Sequence, residues 1–565
     1  MVLSDKIREA IADSLRILGH PETSFSVDLT DDLSFGDYAS NVALVLSRPA
    51  GREPKQLAEE IKNQLQSMNL PEFKAIEIAG PGFLNFSIRE DWLIENLKTI
   101  TEVKKEYGFH GQFAGQEIVI EYTNTNVLKP FHIGHLLGNI IGESLSRLFE
   151  AGGASVKRVT YQGDTGLHIA KAVWGLKRSG GKKDDLSVKE KLTYLGEVYA
   201  LGASAYEDDP EAALEIKEIN THLFNNDDKE LTDLYHWGRQ VSLDSFGLLY
   251  KKLGTKFDAY FFESEVAQEA VNIVNEYLLK DVFEKSDGAV VFDGEKYNPS
   301  LHTRVFLTSA GLPTYEAKDI AHALRKNNFT RFDKSIIVTA AEQNQYFQVV
   351  LEALRQIDKN TAERTEHLSH GMLRLPSGKM SSRSGQVITA NDLLDQIESE
   401  ITTKMAESDV TPNEQKVVAE KVAVGAIKYS ILKQDLGKDI IFDFATSISR
   451  EGNSGPYLQY MLVRAKSVLA KAGKLDNPEQ IDEVATLERL LARFPEVVRR
   501  SGQEQAPHYL CTYLFILASE FSSYYSEHKI IGDPAEKYRL LLVSAVAQVL
   551  QNGLHLLAIP APERM

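Results

Sequence analysis

The chain has 565 residues, 43% hydrophobic and 25% charged, which is ordinary globular composition with room for roughly three to five domains. Acidic residues outnumber basic ones 80 to 63, a net charge of −17, and this weighs at first against a nucleic-acid partner, because phosphate binding usually shows as a basic surplus. The single cysteine, Cys511, excludes an intrachain disulfide and a cysteine-built zinc site. Its apolar helical surroundings (Tyr509, Leu510, Tyr513, Leu514) predict a buried thiol. The opening residues mix acids and bases without a continuous apolar run, so no signal peptide is expected. The longest apolar stretch, about 540–557, is broken by Gln548, Gln551, Asn552 and His555, so no membrane span is expected either. The reading is a soluble, cytoplasmic protein.

Ser4 is placed to cap a helix whose Ile7, Ile11, Leu15 and Leu18 share a face, with Gly19 and Pro21 ending it. A second amphipathic helix starts at Pro54 and carries Leu57, Ile61 and Leu65. Runs at 41–46, 75–78 and 83–88 read as strands. Residues 1–107 therefore form a small α+β module.

The run EIVIEY (117–122) predicts a buried strand, residues 123–130 a loop, about 134–151 a helix stopped by Gly152-Gly153, and 156–161 the next strand. Strand, helix, strand at this spacing is a βαβ unit and implies a parallel sheet with a right-handed crossover. Such a sheet places its site beyond the carboxyl ends of the strands, at a switch point. Residues of about 180–300 read as a mainly helical, acidic insertion, and strand signals return at 335–339. From about 391 helical periodicity dominates without a convincing strand. The expected architecture is α/β: a Rossmann-like catalytic domain at 108–390, a helical connecting region at 391–449 and an all-α domain at 450–565.

Two segments carry chemistry. Phe131-His132-Ile133-Gly134-His135 stands between the first strand and its helix. There the helix N-terminus offers free N–H groups to phosphate. Two imidazoles can add donors to the same oxygens, and Gly134 lets a ligand approach the backbone. The second segment, Gly378-Lys379-Met380-Ser381-Ser382-Arg383-Ser384-Gly385, joins cations to small residues and can close over a polyphosphate. Taken alone, a solvated basic loop has the same composition.

Together these segments resemble the two signature motifs of class I aminoacyl-tRNA synthetases, and over nearly its whole length the chain resembles the arginyl-tRNA synthetases. The matching stretches are GDYASN (36–41), AGPGFLNF (79–86), NTNVLKPFHIGH (124–135) and YQGDTG (161–166). AEQNQYFQ (341–348), HGMLRLPSGKMSSRSG (370–385), EGNSGPYLQY (451–460) and APERM (561–565) follow in the family's order. The resemblance implies ATP-dependent ligation of L-arginine to its tRNA through arginyl-adenylate, with magnesium accompanying ATP and no zinc. It implies that Glu121, Asn126, Tyr315, Asp319 and Gln343 contact the substrate arginine. His132, Gly134 and His135 are then assigned to the ATP phosphates, and Lys379, Met380, Ser381 and Ser382 to ATP and the departing pyrophosphate.

The pocket chemistry is consistent with that implication. A guanidinium presents a planar fork of five donors and a fixed charge, so carboxylates around its plane would discriminate against uncharged side chains. A carboxylate at the end of an apolar strand, as Glu121 is, is costly to bury unless it meets a cation. Many class I enzymes have a second lysine where this chain has Ser382. The resemblance suggests that Lys129 supplies that charge, although a solvated loop lysine would look the same. A further departure is Tyr346, where many relatives carry histidine.

By the same resemblance, residues 450–565 bind the anticodon, with Tyr457, Tyr460, Tyr513, Tyr524 and Tyr525 as candidate stacking partners beside their ordinary reading as core. The first module contacts the tRNA elbow, and the protein is a monomer. A small-molecule nucleotidyltransferase, a class I synthetase for another amino acid and an inactive synthetase-like RNA-binding protein remain as alternatives. The charge objection weakens on counting, since residues 450–565 hold 13 basic and 13 acidic side chains. The acidity belongs to the rest of the chain, and tRNA binding is expected to be local and salt-sensitive.

Overall fold

A computed structural model describes residues 2–30, 32–374, 389–405, 411–473 and 484–565. Lys379, Met380, Ser381 and Ser382 lie outside the described residues.

The first module is a four-stranded antiparallel sheet of β1 (Val27–Leu29), β2 (Tyr38–Ser40), β3 (Phe73–Ala79) and β4 (Phe83–Ile88), in the order β1-β2-β4-β3. Helices Leu3–Ile17 and Pro54–Gln66 bury Ile7, Ile11, Leu57, Ile61 and Leu65 against it. Two sequence readings are corrected here. Residues 41–46 are not a strand, because Val42–Ala50 is a helix. Val42, Ala43 and Leu46 are fully buried while Val45 is exposed, a one-sided pattern that so short an apolar run does not reveal. Ser4 is not the cap of the first helix either, since that position is Val2. The Ser4 N–H instead donates to Glu496 Oε1 at 3.1 Å, so an acid nearly five hundred residues away satisfies the helix start.

From residue 117 the chain lays down β5 (Glu117–Glu121), β6 (Ser155–Gln162) and β7 (Ala259–Phe262). A small antiparallel set follows, β8 (Glu284–Ser286), β9 (Ala289–Phe292) and β10 (Arg304–Leu307), and then β11 (Lys334–Ala340) and β12 (Thr365–His370). Five of these form one parallel sheet in the order β12-β11-β5-β6-β7. The chain leaves β5 toward β6 on one side and returns as β11 on the other, so the switch point lies between β5 and β11. The helical insertion is Val188–Asp208, Pro210–Asn225 and Lys229–Leu253. The range 180–300 also holds β7, a four-residue strand of the parallel sheet too short to show a period in sequence.

Beyond residue 389 the described chain is helical, apart from Ile440–Ile441, which pairs in parallel with Leu373–Arg374. The residues 540–557 fall largely in helix Glu536–Leu556, whose apolar side chains join the main core. Among the described residues no helix is long and apolar enough to cross a membrane. Cys511 is free and buried, and burial pushes its thiol up.

Candidate active site at the sheet switch point

The site begins with the loop that leaves β5. Thr123, Asn124 and Leu128 have φ of 77°, 45° and 57°, a left-handed backbone that L residues other than asparagine and aspartate rarely adopt. Each is held by a hydrogen bond: Asn139 Nδ2 donates to Thr123 Oγ1 at 3.0 Å, Asn124 Oδ1 accepts from the Tyr161 N–H at 3.0 Å, and the Leu128 N–H donates to Ser242 Oγ at 2.8 Å. Strain over-determined in this way clusters at functional sites. Asn126 bridges to Gly163 of the YQGDTG turn, where any Cβ would collide with the Asn126 amide.

The strained loop delivers His132 to the N-cap of helix Ile133–Ala151. Its ring stacks on His135 with centroids 3.5 Å apart, and its backbone N–H donates to His135 Nδ1 at 3.4 Å. With Nδ1 accepting, a neutral His135 carries its proton on Nε2 as a donor. Both rings are held neutral: burial lowers their basicity first, and the neighbouring positive charge of Lys129 lowers it further. A Cβ on Gly134 would stand 2.9 Å from His132 Cε1, so glycine is what lets the imidazole fold back over the helix start.

Opposite lie three carboxyl groups. Glu121, 3% exposed, accepts from Lys326 Nζ at 2.5 Å, from Asn124 Nδ2 at 3.0 Å and shares a 3.0 Å hydrogen bond with His322 Nε2. Burial by itself would raise its carboxyl, but Lys326 and His322 hold it well below the usual range. Glu263 is buried against Lys318 and accepts from Thr165 Oγ1 at 2.8 Å. Asp319 has only the Tyr346 hydroxyl, donating at 2.6 Å, and forms no salt bridge among the described residues. Burial, with Glu121 and Glu263 adding like charge, pushes its carboxyl up from 3.8 to about 7.

Glu121, Asn126, His132, Gly134, His135, Tyr315, Asp319 and Gln343 line one cavity of about 490 Å³. Tyr315 stands at its rim, half exposed, with Lys318 Nζ 4.5 Å from its ring centroid. Lys129 is not in the lining and lies over the Tyr199 ring at 4.8 Å. A larger groove, about 1660 Å³ between the first module and the C-terminal helices, contains none of these side chains. Sequence reasoning missed Lys326, His322, Lys318 and Glu263. One signal was available for two of them, because Tyr315, Asp319, His322 and Lys326 follow helical spacing along Tyr315–Phe329. Tyr346 was noted as a departure without a role, and here it is the hydrogen-bond donor to Asp319.

Residues 98–444 match the family model described as "tRNA synthetases class I (R), catalytic domain", residues 2–88 the "Arginyl tRNA synthetase N terminal domain" and residues 458–565 the "DALR anticodon binding domain". The chain is 30% identical to the arginine–tRNA ligase of Treponema denticola with 99% of both chains covered. It is 31% identical to that of Fusobacterium nucleatum with 94% of both covered. Among solved structures, Thermus thermophilus arginyl-tRNA synthetase aligns over 100% of both chains at 25% identity with a TM-score of 0.83. With a parallel sheet, a histidine-capped helix at its switch point and all three domain models matched in order, the chain belongs to the arginyl-tRNA synthetase family.

Proposed function

We propose that the cavity at the switch point is where the chain joins L-arginine to its tRNA at the expense of ATP, through arginyl-adenylate. The overall reaction is that of the family: arginine is attached to tRNA, with ATP as co-substrate. The observation that carries the site assignment is the contrast among the three carboxyl groups. Glu121 and Glu263 each have a lysine of their own. Burial raises Glu263 as well as Asp319, but Asp319 alone of the three forms no salt bridge among the described residues, the position of an acid short of a cation. A substrate guanidinium supplies that cation, with Tyr346 holding the second feature of Asp319, its orientation. Asn126, Tyr315 and Gln343 offer oxygens around the same plane, and Glu121 contributes its negative field from behind.

In the first step a carboxylate oxygen of arginine attacks the α-phosphorus of ATP, and the bond from that phosphorus to the bridging oxygen breaks, releasing pyrophosphate. The arginine carboxylate is already ionised at neutral pH, so no general base is needed. Catalysis is positioning and charge stabilisation. His132 and His135, held neutral, donate to phosphate oxygens beside the helix N-terminus. Lys129 and Lys379, with Met380, Ser381 and Ser382, serve ATP and the departing pyrophosphate. In the second step a ribose hydroxyl at the tRNA 3′ end attacks the adenylate carbonyl and AMP leaves. Magnesium would accompany ATP as its counter-ion, held through phosphate and water oxygens. The helices from residue 450 read the anticodon, residues 1–107 contact the tRNA elbow, and the protein works as a cytoplasmic monomer.

Pyrophosphate exchange into ATP, measured with each amino acid and with or without tRNA, tests this reading. Arginine is expected to support exchange and lysine to fail. Exchange with lysine but not arginine would overturn it.

A further inference from the structure

Lys129, three residues before His132, is met by a side chain from outside the parallel sheet. Tyr199 lies on helix Val188–Asp208 of the insertion, part-buried against the main core. Lys129 Nζ stands over its ring, 4.8 Å from the centroid. The same helix runs flush along the loop, since a Cβ on Gly196 would be in ordinary contact, 3.7 Å, with Pro130 Cγ. Its other side is locked to helix Leu167–Arg178. Gly175 lies against the Val198 carbonyl and Gly202 against the Lys171 carbonyl, each so closely that any Cβ would collide. These two close approaches bracket Tyr199 in sequence. Helix Leu167–Arg178 begins directly after the YQGDTG turn whose Gly163 anchors Asn126. The ring is therefore fixed to the frame that builds the cavity.

A lysine ammonium on a four-carbon stem has many rotamers and no planar fork to orient it. A fixed aromatic face narrows that choice, because the ring quadrupole attracts the cation. The charge so held reaches the site, lowering the basicity of His132, His135 and His168 after burial has done the larger part. We propose that Tyr199 is a positioning residue for Lys129, so that the helical insertion sets where the charge replacing the lysine absent at Ser382 stands. The inference rests on the reading that Lys129 serves the pyrophosphate.

Arginine-dependent pyrophosphate exchange by the full chain, with tRNA present, tests it in Tyr199→Phe, Tyr199→Leu, Lys129→Ala and the Lys129→Ala/Tyr199→Leu double variant. Tyr199→Phe keeps the ring face and should stay within about twofold of the parent, whereas Tyr199→Leu should raise the KM for pyrophosphate about tenfold with the KM for arginine unchanged. On the Lys129→Ala background, Tyr199→Leu should add nothing. The same loss on both backgrounds, or a silent Tyr199→Leu beside a damaged Lys129→Ala, overturns the role of Tyr199 alone. Unchanged exchange in Lys129→Ala overturns the underlying reading of Lys129. Tyr199→Met, a second ring-free variant, repeats the test should the leucine variant unfold.

Discussion

At the carboxyl side of the cavity Glu121 and Glu263 are buried beside Lys326 and Lys318, whereas at the helix side His132 and His135 are stacked on each other beside Lys129. The first side pairs two of its carboxyl groups with lysines inside the protein, although burial still raises Glu263, and leaves Asp319 without an ion pair among the described residues. The second keeps its imidazoles neutral, so that a phosphate meets oriented donors and a helix dipole with full positive charge concentrated in lysine. On the proposed reading, a guest cation is selected by a single vacancy and a guest anion by a set of donors. The difference shows that the most buried acid of a pocket can already be committed to a partner inside the protein.

The comparison breaks most visibly at Glu121. Glu121→Gln leaves Lys326, 1% exposed at its side chain, buried without its partner, and should cost about 3–5 kcal/mol of stability in denaturant titration. Unchanged stability would remove the claim that this acid is committed internally. Asp319→Asn keeps a side-chain oxygen for Tyr346 but loses the charge. It should weaken arginine recognition by about 2–5 kcal/mol, read as a higher KM for arginine in exchange, while the fold survives.

Asp319 also supplies a pH signature. Its folded carboxyl is raised from 3.8 to about 7, so its contribution to stability is present below the unfolded value and is lost as pH rises through 7. Arginine recognition needs the ionised form, so kcat/KM for arginine should fall as pH drops below 7. Asp319→Asn should flatten that limb and raise the unfolding midpoint above pH 7. A pH profile that persists in the variant would assign the titration to another group.

The smallest of these effects sharpens the helix side. In Gly134→Ala the new methyl forces the His132 ring off the helix start, a displacement that can reduce exchange by up to about a hundredfold. Arginine binding measured by calorimetry should not change. Loss of arginine binding in that variant would mean that the two sides of the cavity do not act separately.

Much of this was legible in the chain itself. The strand at 117–121, the helix at 133–151 and the next strand at 155–162 follow from apolar periodicity, and the histidines between them stand in the cavity at the switch point. That Tyr315 and Asp319 share a helix face follows from their four-residue spacing. Lys326 and His322 stand on the same stripe but read as solvated side chains until β5 brings Glu121 against them. The strand at 259–262 was lost among helices because four residues carry no period. The run at 41–46 was read as a strand because alternation and a helix face look alike over so few residues.

What the sequence determined alone were local choices, the type of the longer periodic elements and the impossibility of an intrachain disulfide. These depend on neighbours a few positions apart, where propensity and periodicity act. Tertiary structure decided how the charges pair. Glu121 meets Lys326 across 205 positions and Glu263 meets Lys318 across 55, and only after those pairs form does Asp319 remain uncompensated. Which buried acid is free for a ligand is a property of the assembled cavity, because in a low-dielectric interior each charge is fixed by its nearest partner in space and not in sequence.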